Sequence, residues 1–330
     1  MMVSARIRRR AATGVAALLA LAVSGCGLGT AGGRVLSGDL AGPVEGISLD
    51  GAEISVGSKN FSESVILGKI ATTMFASAGA EVADLTNIPG SAAARQAQLD
   101  GQIDTSWEYT GTAWITYFGE DTVITDPQES WEAVSARDQE DNDITWLPPA
   151  PMNNTYGFAV TREFAERTGI TKLSEIQDLP VDQRTFCIES EFANRPDGLP
   201  GMLKAYDIPE GPNGVPRDNL QTYQTGAIYT ATAEGECNFG EVFTTDGRIK
   251  ALDLQVLEDD RAYFPNYSVS LTIRDDLLDD YPQIADLINP ISAKLTDEVL
   301  IELNSQVDVE GREPVEVAYD WLVEQGFITE

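Results

Sequence analysis

Histidine is missing altogether from the 330 residues. That absence removes Ser-His-Asp and Cys-His catalysis and every zinc site built on imidazole, so an enzyme would have to work with carboxylates alone. Basic residues are scarce: 22 Lys and Arg stand against 53 Asp and Glu, a formal net charge of -31. A field of that sign repels nucleic acid and anionic membrane surfaces, which excludes both as expected partners. Cysteine is confined to Cys26, Cys187 and Cys237. The apolar run Ala11–Val23 is too short to span a bilayer stably. No cofactor and no metal is expected.

What stands around that apolar run is informative. Arg6, Arg8, Arg9 and Arg10 precede it and Val23-Ser24-Gly25-Cys26 closes it. A basic, then apolar, then small-residue order reads as a signal peptide over residues 1–25. A cysteine directly after two small residues resembles a bacterial lipobox, in which Cys26 becomes the lipid-modified first residue. The expected place is therefore outside the cytoplasm, lipid-anchored to the outer face of the cytoplasmic membrane. Residues 26–51, rich in Gly, Ala and Ser without a sustained period, are expected to form a flexible tether with an end-to-end distance of roughly 25–30 Å. In an oxidising compartment Cys187 and Cys237 make an even pair. A disulfide between them would close a loop of about fifty residues and contribute roughly 4 kcal/mol; two buried thiols are the alternative.

From Glu53 the pattern alternates. Strands are expected at Glu53–Val56, Glu81–Leu85 and Ile103–Glu108, with helices at Ser62–Ala78, where Ile66, Ile70 and Met74 recur at i+4, and at Ala92–Leu99. That order implies a mostly parallel sheet covered by helices, an α/β fold. A helix follows at Glu129–Arg137, and the acidic run Asp138–Asp143 reads as solvated surface. Pro148-Pro149-Ala150-Pro151 breaks the rhythm and suits a crossing between domains. Beyond it, strands are expected at Tyr156–Val160, Thr185–Glu189, Cys237–Phe243, Ala251–Leu257 and Ser268–Ile273, and helices at Arg162–Arg167, Gly201–Tyr206 and Gly226–Ala233. The tail reads as helix through Ile284–Leu303 and Val315–Gln325, without strands.

Chemistry-bearing side chains gather at the predicted strand ends and loops: Lys59, Tyr109, Thr112, Tyr156, Arg195, Phe243 and Tyr267. Four are aromatic and two cationic. A quaternary ammonium has no N–H and gains nothing from hydrogen-bond acceptors, but it is attracted to the negative faces of rings, while Arg or Lys with a hydroxyl donates to a carboxylate. A ligand carrying both groups would use all seven. Each has a plainer reading as well: Arg195 paired with Asp197, Tyr109 and Thr112 as turn and cap residues, or Tyr263 or Phe264 as liner in place of Tyr267. Trp107 and Trp114 are assigned to the core. A carboxylate enzyme such as a glycosidase would have Glu108 and Asp246 as candidates, but nothing in their spacing asks for it.

Several stretches carry a resemblance: Val56-Gly-Ser-Lys-Asn-Phe, Trp107-Glu-Tyr-Thr-Gly-Thr, Glu191-Phe-Ala-Asn-Arg-Pro-Asp-Gly-Leu-Pro, Thr244-Thr-Asp and Phe264-Pro-Asn-Tyr. From about residue 52 to the end the chain resembles the substrate-binding proteins of ABC importers for glycine betaine, choline and related compatible solutes, the OpuAC/ProX-like group. The resemblance implies a two-lobed, periplasmic-binding-protein-like fold of type II with its hinge crossed twice: lobe 1 from 52–152 and 260–330, lobe 2 from 153–259. It implies that Tyr109, Tyr156, Phe243 and Tyr267 form an aromatic cage and that Lys59, Thr112 and Arg195 hold the ligand carboxylate. It further implies no enzymatic activity, a monomer, and an ABC permease with a cytoplasmic ATPase as partner. A receptor of the same fold for an amino acid or another small zwitterion is the rival. Phe243 stands where the family's cage has tyrosine, which keeps the π face and loses the hydroxyl, and Asn154 lies near a position that is acidic in some members.

Overall fold

The computed structural model describes residues 34–120 and 122–329. The signal peptide and Cys26 lie outside the described residues. Twelve strands occur among those described: β1 Asp39–Leu40, β2 Glu53–Lys59, β3 Glu81–Ile88, β4 Thr105–Tyr109, β5 Ile144–Trp146, β6 Tyr156–Thr161, β7 Phe186–Ile188, β8 Leu220–Thr222, β9 Phe239–Phe243, β10 Leu254–Val256, β11 Val269–Arg274 and β12 Ile328–Thr329. Ten of them build two five-stranded sheets, one ordered β3-β2-β4-β11-β5 and the other β10-β6-β9-β7-β8.

Both sheets are mixed. β2 runs parallel to β3 and β4, and β7 runs parallel to β8 and β9, which is the expected βαβ core. The antiparallel partners are the strands that flank the crossings: β11 lies against β4 and β5, and β6 against β9 and β10. A strand that enters a sheet from the other half of the molecule needs no crossover helix, so nothing forces it parallel. The chain passes from one sheet to the other between β5 and β6, through the proline cluster, and returns between β10 and β11.

The helix Ser62–Ser77, α1, sits at the centre of the first half. The predicted stripe of Ile66, Ile70 and Met74 is fully buried, and so are Leu67, Ala71, Thr72, Thr73 and Phe75 on the other faces. A helix buried all round needs partners on every side. They are β2, β3 and the helices Asp297–Asp308 and Pro314–Glu324. The second half has its own apolar core, from Phe158, Phe186, Phe192, Met202 and Phe239. Cys187 on β7 and Cys237 before β9 are paired as a disulfide, with Cα atoms 5.7 Å apart.

Five expectations need correction. The tether does not extend to Gly51: β1 pairs antiparallel with β12, and Val44 and Leu49 are fully buried against the first core. Two apolar side chains in a Gly-rich stretch suffice to anchor it, although they carry no period. The same pairing puts a strand in the tail, where none was expected. The acidic run is not all solvated. Its helix continues to Asn142, and Asp138, four residues beyond Val134 on the inward face, is fully buried and accepts from both Arg95 Nη atoms and from Trp146 Nε1 at 2.7 Å. Finally, the long tail helix is two, Gln283–Ser292 and Asp297–Asp308, because the Thr296 hydroxyl caps Val299 N and starts a new one. The strand expected at Ala251–Leu257 likewise shortens to β10, behind a helix over Arg248–Ala251 and the left-handed Asp253.

Candidate ligand site

A cavity of about 520 Å³ lies between the two sheets, lined from both. All eight residues expected at the site border it: Lys59, Tyr109, Thr112, Asn154, Tyr156, Arg195, Phe243 and Tyr267. They arrive from β2, β4 and the turn after it, the first crossing, β6, the loop before the helix Leu199–Ala205, the end of β9, and the second crossing. This is the carboxyl-end convergence that an open α/β sheet provides.

The stretch Tyr109-Thr-Gly-Thr is built by tight local geometry. β4 ends at Tyr109, one helical turn covers Thr110–Thr112, and a wider π turn follows over Ala113–Tyr117. That turn brings Tyr117 back, so that its hydroxyl donates to Glu108 Oε2 at 2.7 Å. Gly111 is required there: a Cβ would meet Asn266 O at 2.7 Å and the Tyr267 ring at 2.8 Å. The close approach that only glycine permits is what presses Tyr267 onto the cavity wall.

The rings form a chain. Tyr109 packs against Phe61 at 5.8 Å between centroids, Phe61 against Phe243 at 5.2 Å, Phe243 against Tyr156 at 5.1 Å, and Tyr156 edge-on against Tyr267 at 5.4 Å. Tyr263 and Phe264 are elsewhere: the Tyr263 hydroxyl donates to Pro196 O and Phe264 joins the second core, so neither borders the cavity. Trp107 is buried in the first core, as expected; Trp114 is only partly buried, at the edge of a small cluster around Val134 and Trp146.

Two hydroxyls of this chain of rings are tied to carboxylates. Tyr109 donates to Glu63 Oε1 at 2.8 Å and Tyr267 to Asp197 Oδ2 at 2.6 Å. Burial, together with the adjacent carboxylate, raises the pKa of both phenols well above the ordinary tyrosine value. Tyr156 is raised too, chiefly by burial, and Arg195 lies over its ring at 5.4 Å.

Both cations are already engaged. Arg195 is 5% exposed, holds Asp197 through Nε and Nη2 at 2.8 and 2.5 Å, and reaches Glu191 Oε1 through Nη1 at 3.2 Å. Lys59 donates to Glu108 Oε1 at 2.5 Å and stands 4.9 Å from the centre of the Tyr109 ring. The plain reading of Arg195 as a partner of Asp197 holds, and the same side chain borders the cavity. Glu191 also spans the cleft: its Oε2 accepts from Ser91 N, at the start of the helix Ser91–Leu99, at 3.0 Å. Burial opposes its charge, but the Ser91 donors and Arg195 bring its pKa below the ordinary value.

Sequence reasoning missed Phe61, Glu63, Glu191 and Glu241. Phe61 ends the Val56-Gly-Ser-Lys-Asn-Phe motif and immediately precedes α1. Glu63, in the first turn of α1, looks like an ordinary complement to the helix dipole. Glu241 carried a readable signal: an acid two residues before Phe243 in an apolar strand shares its face. Its carboxyl is 3% exposed and borders the cavity, Oε2 accepts from Glu189 N at 2.7 Å, and burial pushes its pKa up to about 8. The carboxylate-enzyme candidates do not meet. Glu108 is held by Lys59, Tyr117 and Tyr109 N, and Asp246 by Arg248, away from this cavity.

The model of the substrate-binding domain of the ABC-type glycine betaine transport system matches residues 52–324. A glycine-betaine-binding protein of Pseudomonas aeruginosa is 35% identical over 279 residues, which is 82% of this chain and 87% of that protein. The glycine betaine-binding protein YehZ of Escherichia coli is 31% identical over 281 residues, 83% of this chain and 91% of the relative. A crystal structure described as a glycine betaine/carnitine/choline ABC transporter is 26% identical, covers 83% of this chain and 97% of that one, and superimposes with a TM-score of 0.66. The two-sheet fold and the cavity between its halves agree with that kinship. The chain belongs to the family of substrate-binding domains of ABC-type glycine betaine transport systems.

Proposed function

We propose that this protein captures a quaternary-ammonium compatible solute, glycine betaine or a close analogue, outside the cytoplasm and delivers it to an ABC permease driven by a cytoplasmic ATPase. The observation that carries the reading is the unbroken chain of five rings, Tyr109, Phe61, Phe243, Tyr156 and Tyr267, in one cavity with Arg195, Lys59 and Thr112. Rings attract a methylated ammonium without hydrogen bonds, and the cations and hydroxyl suit a carboxylate a short distance away. Glycine betaine has about eight non-hydrogen atoms, so the ceiling of roughly 1.5 kcal/mol per atom allows about 12 kcal/mol, and micromolar binding needs only about 8.

The two lobes take the boundaries 52–152 with 260–330, and 153–259, with the crossings as hinge. Closure on a ligand is then favoured by contacts between the two lobes, such as Glu191 to Ser91 N and Thr245 to Glu63. Residues 1–25 act as signal peptide and Cys26 as lipid anchor; the tether runs from Cys26 to the start of β1. The receptor works as a monomer. A calorimetric panel of glycine betaine, choline and carnitine against glycine, proline and glutamate tests the function. Micromolar binding confined to methylated amines is expected; an unmethylated amino acid bound more tightly than any of them would replace this reading with that of an amino-acid receptor.

A further inference from the structure

Glu63 is 2% exposed and all its hydrogen-bond donors are uncharged. Oε1 accepts from Tyr109 Oη at 2.8 Å and Asn154 Nδ2 at 2.7 Å; Oε2 accepts from Thr245 Oγ1 at 2.6 Å and Asn304 Nδ2 at 3.2 Å. Four donors fill the four acceptor sites of a carboxylate, one more than a protonated acid accepts. They come from β4, from the first crossing, from the turn after β9 and from the helix Asp297–Asp308, so the group is pinned beneath the cleft by both halves of the molecule.

A buried carboxylate is costly unless a positive charge compensates it. Glu108 has Lys59, and Asp197 and Glu191 have Arg195, whereas Glu189 and Glu241, which also line the cavity, have no ion pair among the described residues. Burial pushes the Glu63 carboxyl above the ordinary range, with the four hydrogen bonds acting against that. What stands between this charge and the cavity is the Tyr109 ring, with the Asn154 amide beside it. A phenol that donates to a carboxylate gains electron density, and the ring face becomes more negative toward a cation. Lys59 already rests beside that ring at 4.9 Å, but its charge is directed to Glu108.

We propose that Glu63 is a specificity-determining positioning residue, whose carboxylate acts through the Tyr109 hydroxyl as the counter-ion of the ligand's methylated ammonium. This rests on the function proposed above and goes beyond the cage itself: it makes recognition depend on the ligand's charge as well as its shape. A binding floor held merely by hydrogen bonds would treat a cation and a neutral body of the same shape alike.

The test compares choline with its neutral carbon isostere, in which tert-butyl replaces trimethylammonium, by calorimetry and by competition. Wild type prefers choline. In Glu63→Gln choline should weaken about tenfold while the isostere changes less than about twofold. Tyr109→Phe, which keeps the ring and removes the hydroxyl, should act in the same direction and add little to Glu63→Gln. It also reads the coupling should the Gln variant fold poorly. Equal weakening of choline and isostere in both variants, or no change in either, overturns the proposal. Wild type that binds no quaternary ammonium overturns the functional reading itself, and this proposal with it, before any variant is made.

Discussion

The two ends of the cleft handle charge in opposite ways. At the Tyr109 end a buried carboxylate, Glu63, has only uncharged donors, while Lys59 beside the same ring is matched by Glu108; at the other, Arg195 is matched by Asp197 and Glu191. An arriving ammonium therefore relieves an unbalanced charge. An arriving carboxylate must share cations with carboxylates already there. The cleft should select first for the methylated ammonium and only second for an acidic tail, so choline should remain a ligand and not a poor mimic.

The largest effect is expected from Tyr156→Ala. Its ring touches Phe243 and Tyr267 in the cage and Phe192 and Phe264 behind it, and it carries Arg195 on its face. Losing it removes a cage wall and the link between the two ends. Affinity for choline and glycine betaine should fall together by about 2 kcal/mol or more, roughly thirtyfold, in titration calorimetry. A loss confined to one ligand would mean that Tyr156 belongs to one end only.

Arg195→Gln separates the ends. A charge-assisted hydrogen bond contributes about 1.5–3 kcal/mol, so glycine betaine should weaken at least about tenfold. Choline, with no carboxylate, should hold its affinity or improve, because Asp197 and Glu191 are left with uncompensated charge. Equal losses for both ligands would erase the contrast. The variant should also melt earlier, since it strands a buried acid.

Glu241 gives the contrast a pH dependence. Folding raises its pKa from the ordinary 4.5 to about 8. Between those values the folded protein holds a proton that the unfolded chain has released, so this group's effect is smallest below the lower value. Stability then declines as pH rises toward 8, by at most about 1.4 kcal/mol per unit. Glu241→Gln should flatten that slope in chemical denaturation. In binding, a neutral Glu241 does not repel a carboxylate. Betaine affinity should decline above pH 8 in wild type but not in the Gln variant, while choline affinity should not decline.

Much of this was legible because the family motifs sit at strand ends, where side chains converge whatever the details of the sheet. Tyr109, Tyr156, Tyr267, Arg195 and Lys59, which all border the cavity, are legible that way. The acids behind them were not, for a physical reason: in a chain with 53 acidic residues, one more Glu at a helix start says nothing until its neighbours in space are known. Glu63 draws its partners from positions 46 to 241 residues away in sequence. The same limit hid the anchoring of Val44 and Leu49 and the inward turn of Asp138, each decided by packing from distant segments. The antiparallel pairings were missed because strand order does not follow chain order once the chain crosses between sheets.

The smallest expected effect belongs to Phe243→Tyr, the position where the resemblance leads one to expect tyrosine. Phe243 lies between Phe61 and Tyr156 at the end of β9, half-buried, and borders the cavity. Its ring already supplies a π face, so a hydroxyl adds little attraction for the ammonium. What it adds is a polar group, which needs a partner if it is buried on closure. Glycine betaine and choline should change by less than about 1 kcal/mol, in the same direction. A selective gain for glycine betaine would mean that the new hydroxyl reaches the ligand carboxylate, and that the two ends of the cleft are closer in function than their charges suggest.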